Sequence, residues 1–480
     1  MSDLVCLLAF SSPFVHPRFS RPPAVPAVED ALNQTAPYYL RAHRNFPDPL
    51  ARLSETYAQL EEDSRAESSR PVGNQSVWVL PDKLLASVRN HDSLVLEVGE
   101  RQFLVNVLGR WSRKVQVTDL ATGQQWSRRS FARDPSGDRL ADLNHVYTVL
   151  VDKLGSPGKE VWMSCGFRGD EVNWEYSIKY ARILDLDSLE LRVGPRLPYA
   201  GGACTATALE IIKGEPPMIC SFAGTDGHHD SGLFLPYASC YDRLRERFWF
   251  PFGRMPYGLD HGNVALLPRD RCGAHKATLL ILNYRTESYG ISRPEILAFD
   301  LPDQGWTLEE LSNMSKEDLG NWWLYHNVSY TDAHDDRNCP RDASGIAVAN
   351  DGRYILNFGG VYRPSRHVVH AYSVVRKFDV CSKEWQVVDD LGIRSFALQS
   401  AASQKLQLAI TCGGQGGVTE LFEHHNSPWC IAFRPDPASG LVLANRHGDV
   451  ALRGFPAGFV PGQLERPKSR SHAKKSGWGD

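Results

Sequence analysis

A pattern returns six times along this chain. A short apolar strand ends in Gly or Gly-Gly, and about twenty residues later a second strand ends in an apolar residue followed by Asp. The glycine anchors are Gly109, Gly166, Gly224, Gly360 and Gly414, with Tyr284 in a degenerate copy. The intervals between them are 57, 58, 60, 76 and 54 residues. Self-similarity at that period means stacked β-units, each burying its apolar face against the next, and it predicts an all-β propeller.

The repeats override the prior from length. A chain of 480 residues would otherwise suggest about two to four domains, but stacked blades share one continuous core. The formal net charge is −3, from 53 basic and 56 acidic residues. That balance favours neither nucleic acid nor an anionic membrane across the whole surface. No apolar run approaches the ~18 residues of a membrane helix, so no membrane span is expected.

The N-terminal segment Leu4–Phe10 is apolar but short, and Asp3 stands where a secretion signal wants Lys or Arg. It reads as a poor signal or a fragment of one. The localisation therefore stays open: soluble, with a secretory lumen as one option. Asn-X-Ser/Thr sites at Asn33, Asn74, Asn313 and Asn327 decide nothing without a signal peptide. The cysteines are Cys6, Cys165, Cys204, Cys220, Cys240, Cys272, Cys339, Cys381, Cys412 and Cys430. None forms a CxxC or a Cys/His spacing suited to zinc, and several fall in apolar strands. The sequence therefore favours buried, reduced thiols over a disulfide framework.

Three segments follow from composition. Residues 1–74 hold a Pro-rich arm (Pro13 to Pro26) and a short helix opened by Asp48-Pro49, with Leu50, Leu53, Tyr57 and Leu60 as its apolar stripe. Residues 75–455 are the propeller. Residues 456–480 are a polar basic tail carrying Arg466, Lys468, Arg470, Lys474 and Lys475.

Within the propeller the strands come in fours, and the fifth copy is clearest. Gly345–Ala349, Tyr354–Phe358, Val374–Val380 and Trp385–Val388 read as its four strands. The longest interval, in the fourth copy, holds the capping box Thr307-Leu308-Glu309-Glu310 and predicts a helix over 308–319, inserted between strands three and four on the outer rim. The glycine after strand two takes φ > 0 and lets blades approach. The Asp after strand three accepts backbone N–H bonds in the next turn. An aromatic on strand four fills the wide outer gap.

Strand-Gly-Gly, then Tyr/Phe-Asp, then Trp resembles the kelch repeat, best over 218–249 and 354–385 and loosely over 160–435. The galactose oxidase/kelch-type family forms β-propellers, so the resemblance implies six blades here. The chain departs from the pattern at Asn283-Tyr284, where the glycine pair is lost, and in the second copy, where Leu189 or Leu191 replaces Trp. Ring closure has two candidates. Gln75–Leu80 would add an outer strand to the last blade from the N-terminal side; Leu441–Ala444 would complete it from the C-terminal side.

Loops after strand two and loops between blades open on one face. That face gathers Asp226, His228, His229 and Asp230, the segment Arg285–Arg293, and Tyr362–His370. The inter-blade loops add Arg196–Gly201, Arg254, Tyr257, Asp260, His261, His334–Arg341 and Arg394, and the sixth copy adds His424-His425. Arg suits carboxylate or phosphate; Asp and Tyr suit sugar hydroxyls and faces. The alternative for Arg254 and Arg341 is a tie between loops. A metal or acid–base site on His228, His229, Asp230 and His261 is weaker, because adjacent histidines seldom bind one ion together. The family includes copper radical oxidases; Tyr257, His261 and Cys240 are present, but no arrangement matches such a centre. No P-loop, Gly-X-Ser-X-Gly or His-Glu-X-X-His occurs.

The sequence thus points to a non-catalytic kelch-type propeller that binds a protein or glycan partner, without nucleic acid, metal or other cofactor. The residues expected to touch the ligand are Arg254, Tyr257, Asp260, His261, Arg285, Arg341, Asp226, His228 and Asp230. The alternative is an enzyme acting on a carbohydrate or small anion at the propeller mouth.

Overall fold

A computed structural model describes residues 77–80, 91–98, 100–109, 112–168, 176–227, 232–269, 272, 277–286, 291–293, 295–302, 305–321, 325–328, 341–365, 368–391, 395–416, 425–426 and 430–444. The N-terminal arm, the helix after Asp48 and the basic tail lie outside them.

Six four-stranded antiparallel meanders surround one axis. Blade one holds Asp92–Val98, Arg101–Val107, Val115–Asp119 and Gln125–Arg128; blade two holds Val149–Asp152, Lys159–Met163, Tyr176–Asp185 and Glu190–Gly201. Blade three holds Thr205–Leu209, Met218–Phe222, Ala238–Asp242 and Arg247–Trp249. Blade four holds Asn263–Leu267, Thr278–Leu282, Ile296–Asp300 and Tyr325–Val328. Blade five holds Gly345–Ala349, Tyr354–Phe358, Val374–Asp379 and Glu384–Asp390. Blade six takes Gln399–Ser403, Leu408–Cys412 and Cys430–Phe433 from one end of the chain and Val77–Val79 from the other. The second strands are almost continuously buried because both faces pack on neighbouring blades, which is why they read as solid apolar runs.

The recurring residues do what their chemistry predicts. Asp119, Asp185, Asp242 and Asp379 each accept two backbone N–H bonds from the turn that follows strand three. Gly224 has φ +103°, and a Cβ there would lie 2.8 Å from the Gly202 carbonyl oxygen of the adjoining inter-blade segment. Trp126 and Trp249 are buried on outer strands, and Leu191 takes that place in blade two. In blade four Asn283 adopts the left-handed conformation at φ 56°, so Tyr284 can occupy the glycine position, fully buried. Asn tolerates that region better than other non-glycine residues.

The insertion in blade four is two short helices, Leu308–Asn313 and Lys316–Asn321, rather than one. The Thr307/Glu310 capping box is formed. Leu311 and Leu319 join the apolar cluster of blade three beside Phe252, Ile211 and Ile212. This fixes the insertion against the outside of a neighbouring blade.

Ring closure comes from the N-terminal side. Val77, Trp78 and Val79 pair with Phe433, Ala432 and Ile431. The C-terminal segment does something else: Leu443–Ala444 pairs with the inner edge of blade five at Ala349 and Val348. Asn350 brackets it, donating from Nδ2 to the Gly440 carbonyl at 2.9 Å and accepting the Val442 N–H at 2.6 Å. Gln407 Oε1 accepts the Leu443 N–H at 2.9 Å. Deleting residues up to Leu80 leaves the Cys430–Phe433 edge unpaired. The expected result is a lower melting temperature with concentration-dependent aggregation, read by scanning fluorimetry and light scattering.

The cysteines correct the sequence reading. All eight described cysteines form disulfides: Cys165–Cys204, Cys220–Cys240, Cys272–Cys381 and Cys412–Cys430. Cys220 and Cys240 are direct cross-strand partners, as are Cys412 and Cys430. The other two bridges join neighbouring blades. Reading each cysteine by its own strand sees an apolar position but not the partner that the sheet register places opposite it.

Candidate functional site

Each inter-blade segment returns beside the residue that follows the next blade's second strand. Backbone bridges join Asn144 to Phe167, Gly202 to Thr225, Asp260 to Arg285 and Asp342 to Val361. The two loop families therefore do share a face, as the strand order requires. Just after these bridges stands a left-handed non-glycine residue in five consecutive blades: His145, Ala203, His261, Ala343 and Ala397, with φ between 46° and 56°. Such a conformation costs roughly 1 kcal/mol per residue and persists where surrounding bonds over-determine it. Here the His261 N–H donates to the Ala203 carbonyl at 3.0 Å, and the Ala397 N–H to the Ala343 carbonyl at 2.7 Å.

Two of these residues meet across the ring. His145 belongs to the segment entering blade two and His261 to the segment entering blade four, yet their rings meet edge to face with centroids 4.6 Å apart. Residues from non-adjacent blades touch only near the axis, so this pair marks the centre of the mouth. Phe167 supports His145 edge-on at 5.3 Å.

A buried ionic network lies beneath. Asp260 is fully buried and accepts from Arg285 Nε at 2.7 Å and Nη2 at 3.1 Å, and from Thr225 Oγ1 at 3.0 Å. His261 Nδ1 lies 3.0 Å from Asp260 Oδ1. Burial pushes the Asp260 carboxyl up, but Arg285 and His261 more than offset it and hold it well below the usual carboxylate range. A second pair adjoins the first. Asp342 accepts from Ser292 Oγ at 2.6 Å and lies 3.3 Å from Arg363 Nε. Burial holds the Asp342 carboxyl above its ordinary value despite the pull of Arg363 and Arg285. Burial likewise lowers the Arg363 guanidinium.

The residues expected from sequence fall into three groups. Asp260, His261 and Arg285 come together at the mouth. Arg254 and Asp226 are exposed on loops, and Tyr257 is half-buried with its hydroxyl 2.6 Å from that of Tyr284. Arg341 is buried, stacked 3.9 Å from the Tyr372 ring centroid and donating to the Gly359 carbonyl at 3.3 Å. It ties loops, the alternative foreseen for it. His228, Asp230, His334, Arg394 and His424 lie outside the described residues. Arg196–Gly201, expected as a loop, is the end of the long strand Glu190–Gly201. Cys240 is disulfide-bonded and so is closed to a Tyr–Cys crosslink.

Sequence reasoning missed His145 and Asp342, and placed Ser292 and Arg363 on the face only as members of the segments Arg285–Arg293 and Tyr362–His370. His145 had a signal: Asn144-His145 stands two repeats before Asp260-His261, at the same place in its copy. Among the described residues no group of three or more His, Cys, Asp or Glu is placed to hold a metal ion. The inner strands of blades two to five line a partly open cavity of about 340 Å³, among its residues Tyr147, Val149, Thr207, Val264, Val348 and Ala444. No helix among the described residues is long and apolar enough to cross a membrane.

No family model and no curated protein matches this chain. Among solved structures the chain is similar to YjhT, with a TM-score of 0.49 and 8% identity over 72% of this chain and 95% of that one.

Proposed function

We propose that the chain is a kelch-type binding propeller that takes a glycan at the mouth formed by His145 and His261. The observation that carries this reading is the meeting of these two imidazoles at the axis, set over the Asp260–Arg285 pair. The Asp260 carboxylate spends both oxygens on Arg285 and Thr225 donors, and Asp342 Oδ2 accepts from Ser292, which stiffens the floor of the mouth. The imidazole nitrogens, the half-buried Tyr257 and the exposed Arg254 and Asp226 offer the donors, acceptors and flat faces that sugars use.

A glycan array of acidic and neutral oligosaccharides, probed with the full-length protein, tests this. His145→Ala with His261→Ala is expected to weaken binding about 10- to 100-fold, the loss of roughly 1–3 kcal/mol of contacts. Its melting temperature should stay close to wild type. Unchanged binding in the double variant overturns the assignment of the mouth. An array silent throughout, with a protein partner captured instead, moves the occupant from glycan to protein.

One contact favours a second reading. A carboxylate 3.0 Å from an imidazole nitrogen is the arrangement that orients a general base, so Asp260 and His261 suit an enzyme acting on a carbohydrate or small anion. Mass analysis of array-positive glycans after incubation separates the two: altered product means catalysis, intact ligand means binding.

A further inference from the structure

We infer that this chain matures in an oxidising compartment and carries an N-linked oligosaccharide on Asn313. All eight described cysteines are paired, and the pairs join partners 18 to 109 residues apart in sequence. Disulfides in such numbers form and persist where each thiol pair can pass two electrons and two protons to a disulfide-carrying oxidoreductase. Asn-linked glycosylation operates in the same kind of compartment. There the sequon Asn313-Met314-Ser315, uninformative alone, becomes a substrate.

Its structure suits that role. Asn313 is the last residue of the first insertion helix and is exposed. Met314 leaves the helix in an extended conformation, φ −64° and ψ 134°. Ser315 is also exposed, its hydroxyl capping the second helix through Asp318. The apolar side of the insertion, Leu311 and Leu319, is buried against blade three, so Asn313 lies on the open side. Asn327, the other described sequon, lies instead within an outer strand and pairs with Leu297. In the transfer, Asn313 Nδ2 bonds to the anomeric carbon of a lipid-diphosphate-linked oligosaccharide. The bond from that carbon to the phosphate oxygen breaks, the lipid diphosphate leaves with the electron pair, and one amide proton goes to a base of the transferase. The sugar then stands on the rim, clear of the axial mouth.

The test uses the full chain recovered from its native cells. Peptide-N-glycosidase in isotopically heavy water should convert Asn313 to a labelled aspartate in the tryptic peptide ending at Lys316, which holds no other sequon. Asn313→Gln, made in the same cells, should lose one glycan's worth of gel mobility and keep its melting behaviour. Ser315→Thr should keep the glycan. An unlabelled Asn313 peptide from protein whose disulfides are intact overturns the modification. Free thiols at the eight paired cysteines of freshly quenched protein overturn the compartment, and the proposal with it.

Discussion

Asp260→Ala is expected to destabilise the propeller by about 3–5 kcal/mol. The effect is large because the change removes the bidentate carboxylate from a buried cation. Arg285 is buried to 3% exposure, and its Nε and Nη2 bonds both go to Asp260. Removing the carboxylate takes away the acceptor of two charged hydrogen bonds in a site water does not reach, while Thr225 loses an acceptor. It also shifts the neighbouring pair, because the Asp260 charge helps push the Asp342 carboxyl up, and that push is lost. Denaturant unfolding of Asp260→Ala, Arg285→Met and the double variant forms a cycle, and a double variant less harmed than Asp260→Ala alone is the signature of a desolvated pair. The pH dependence has a definite sign. The folded carboxyl is held below its unfolded value, so its contribution is fully present above about pH 4 and is lost only as pH falls further, through the lower folded value. Exposed Arg254→Ala is the control and should stay within about 0.5 kcal/mol of wild type.

Cys272→Ala with Cys381→Ala is expected to cost more than loss of any other bridge. The pair closes a loop of 109 residues, against 39, 20 and 18 for the others. The chain-entropy account gives about 4–5 kcal/mol at 25 °C for a loop of that length and about 3 kcal/mol for the shortest. The geometry adds to the difference. Cys272 sits between the first and second strands of blade four, and Cys381 in the turn after Asp379 of blade five, so this bridge spans two blades. Cys412–Cys430 only reinforces strands already paired by the backbone. Urea unfolding of the four paired-alanine variants ranks them. Equal losses for the longest and shortest loops would show that native packing, not chain entropy, sets the contribution of each bridge.

The blades were legible because their signals are local. Tyr354–Phe358 needs only an apolar run and a following Gly-Gly, and the Asp after strand three needs only the turn it caps. The insertion was legible in its capping box but not in its break, since the extended Met314 has no strong local marker. The mouth was half legible. Asp260, His261 and Arg285 stand out as charged residues in loops, whereas Ser292, Asp342 and Arg363 reach the network only through blade order. His145 shows the limit from the other side: its meaning depends on a partner two repeats away. Disulfide pairing fails for the same reason, because register across strands is a property of the assembled sheet.

The pairing of Val77–Val79 with Cys430–Phe433 imposes a timetable on synthesis. The first strand leaves the ribosome long before its partner exists. Roughly 350 residues intervene, which at 5–20 residues per second is about 20–70 s. Five blades can form in that interval, each from consecutive chain, while the sixth waits for its opening piece to come back around. During translation the nascent chain is thus an open crescent with one unpaired edge, and a second crescent on the same messenger offers the complementary edge. Crowded polysomes are where this protein is most exposed to swapping its closing strand with a sibling.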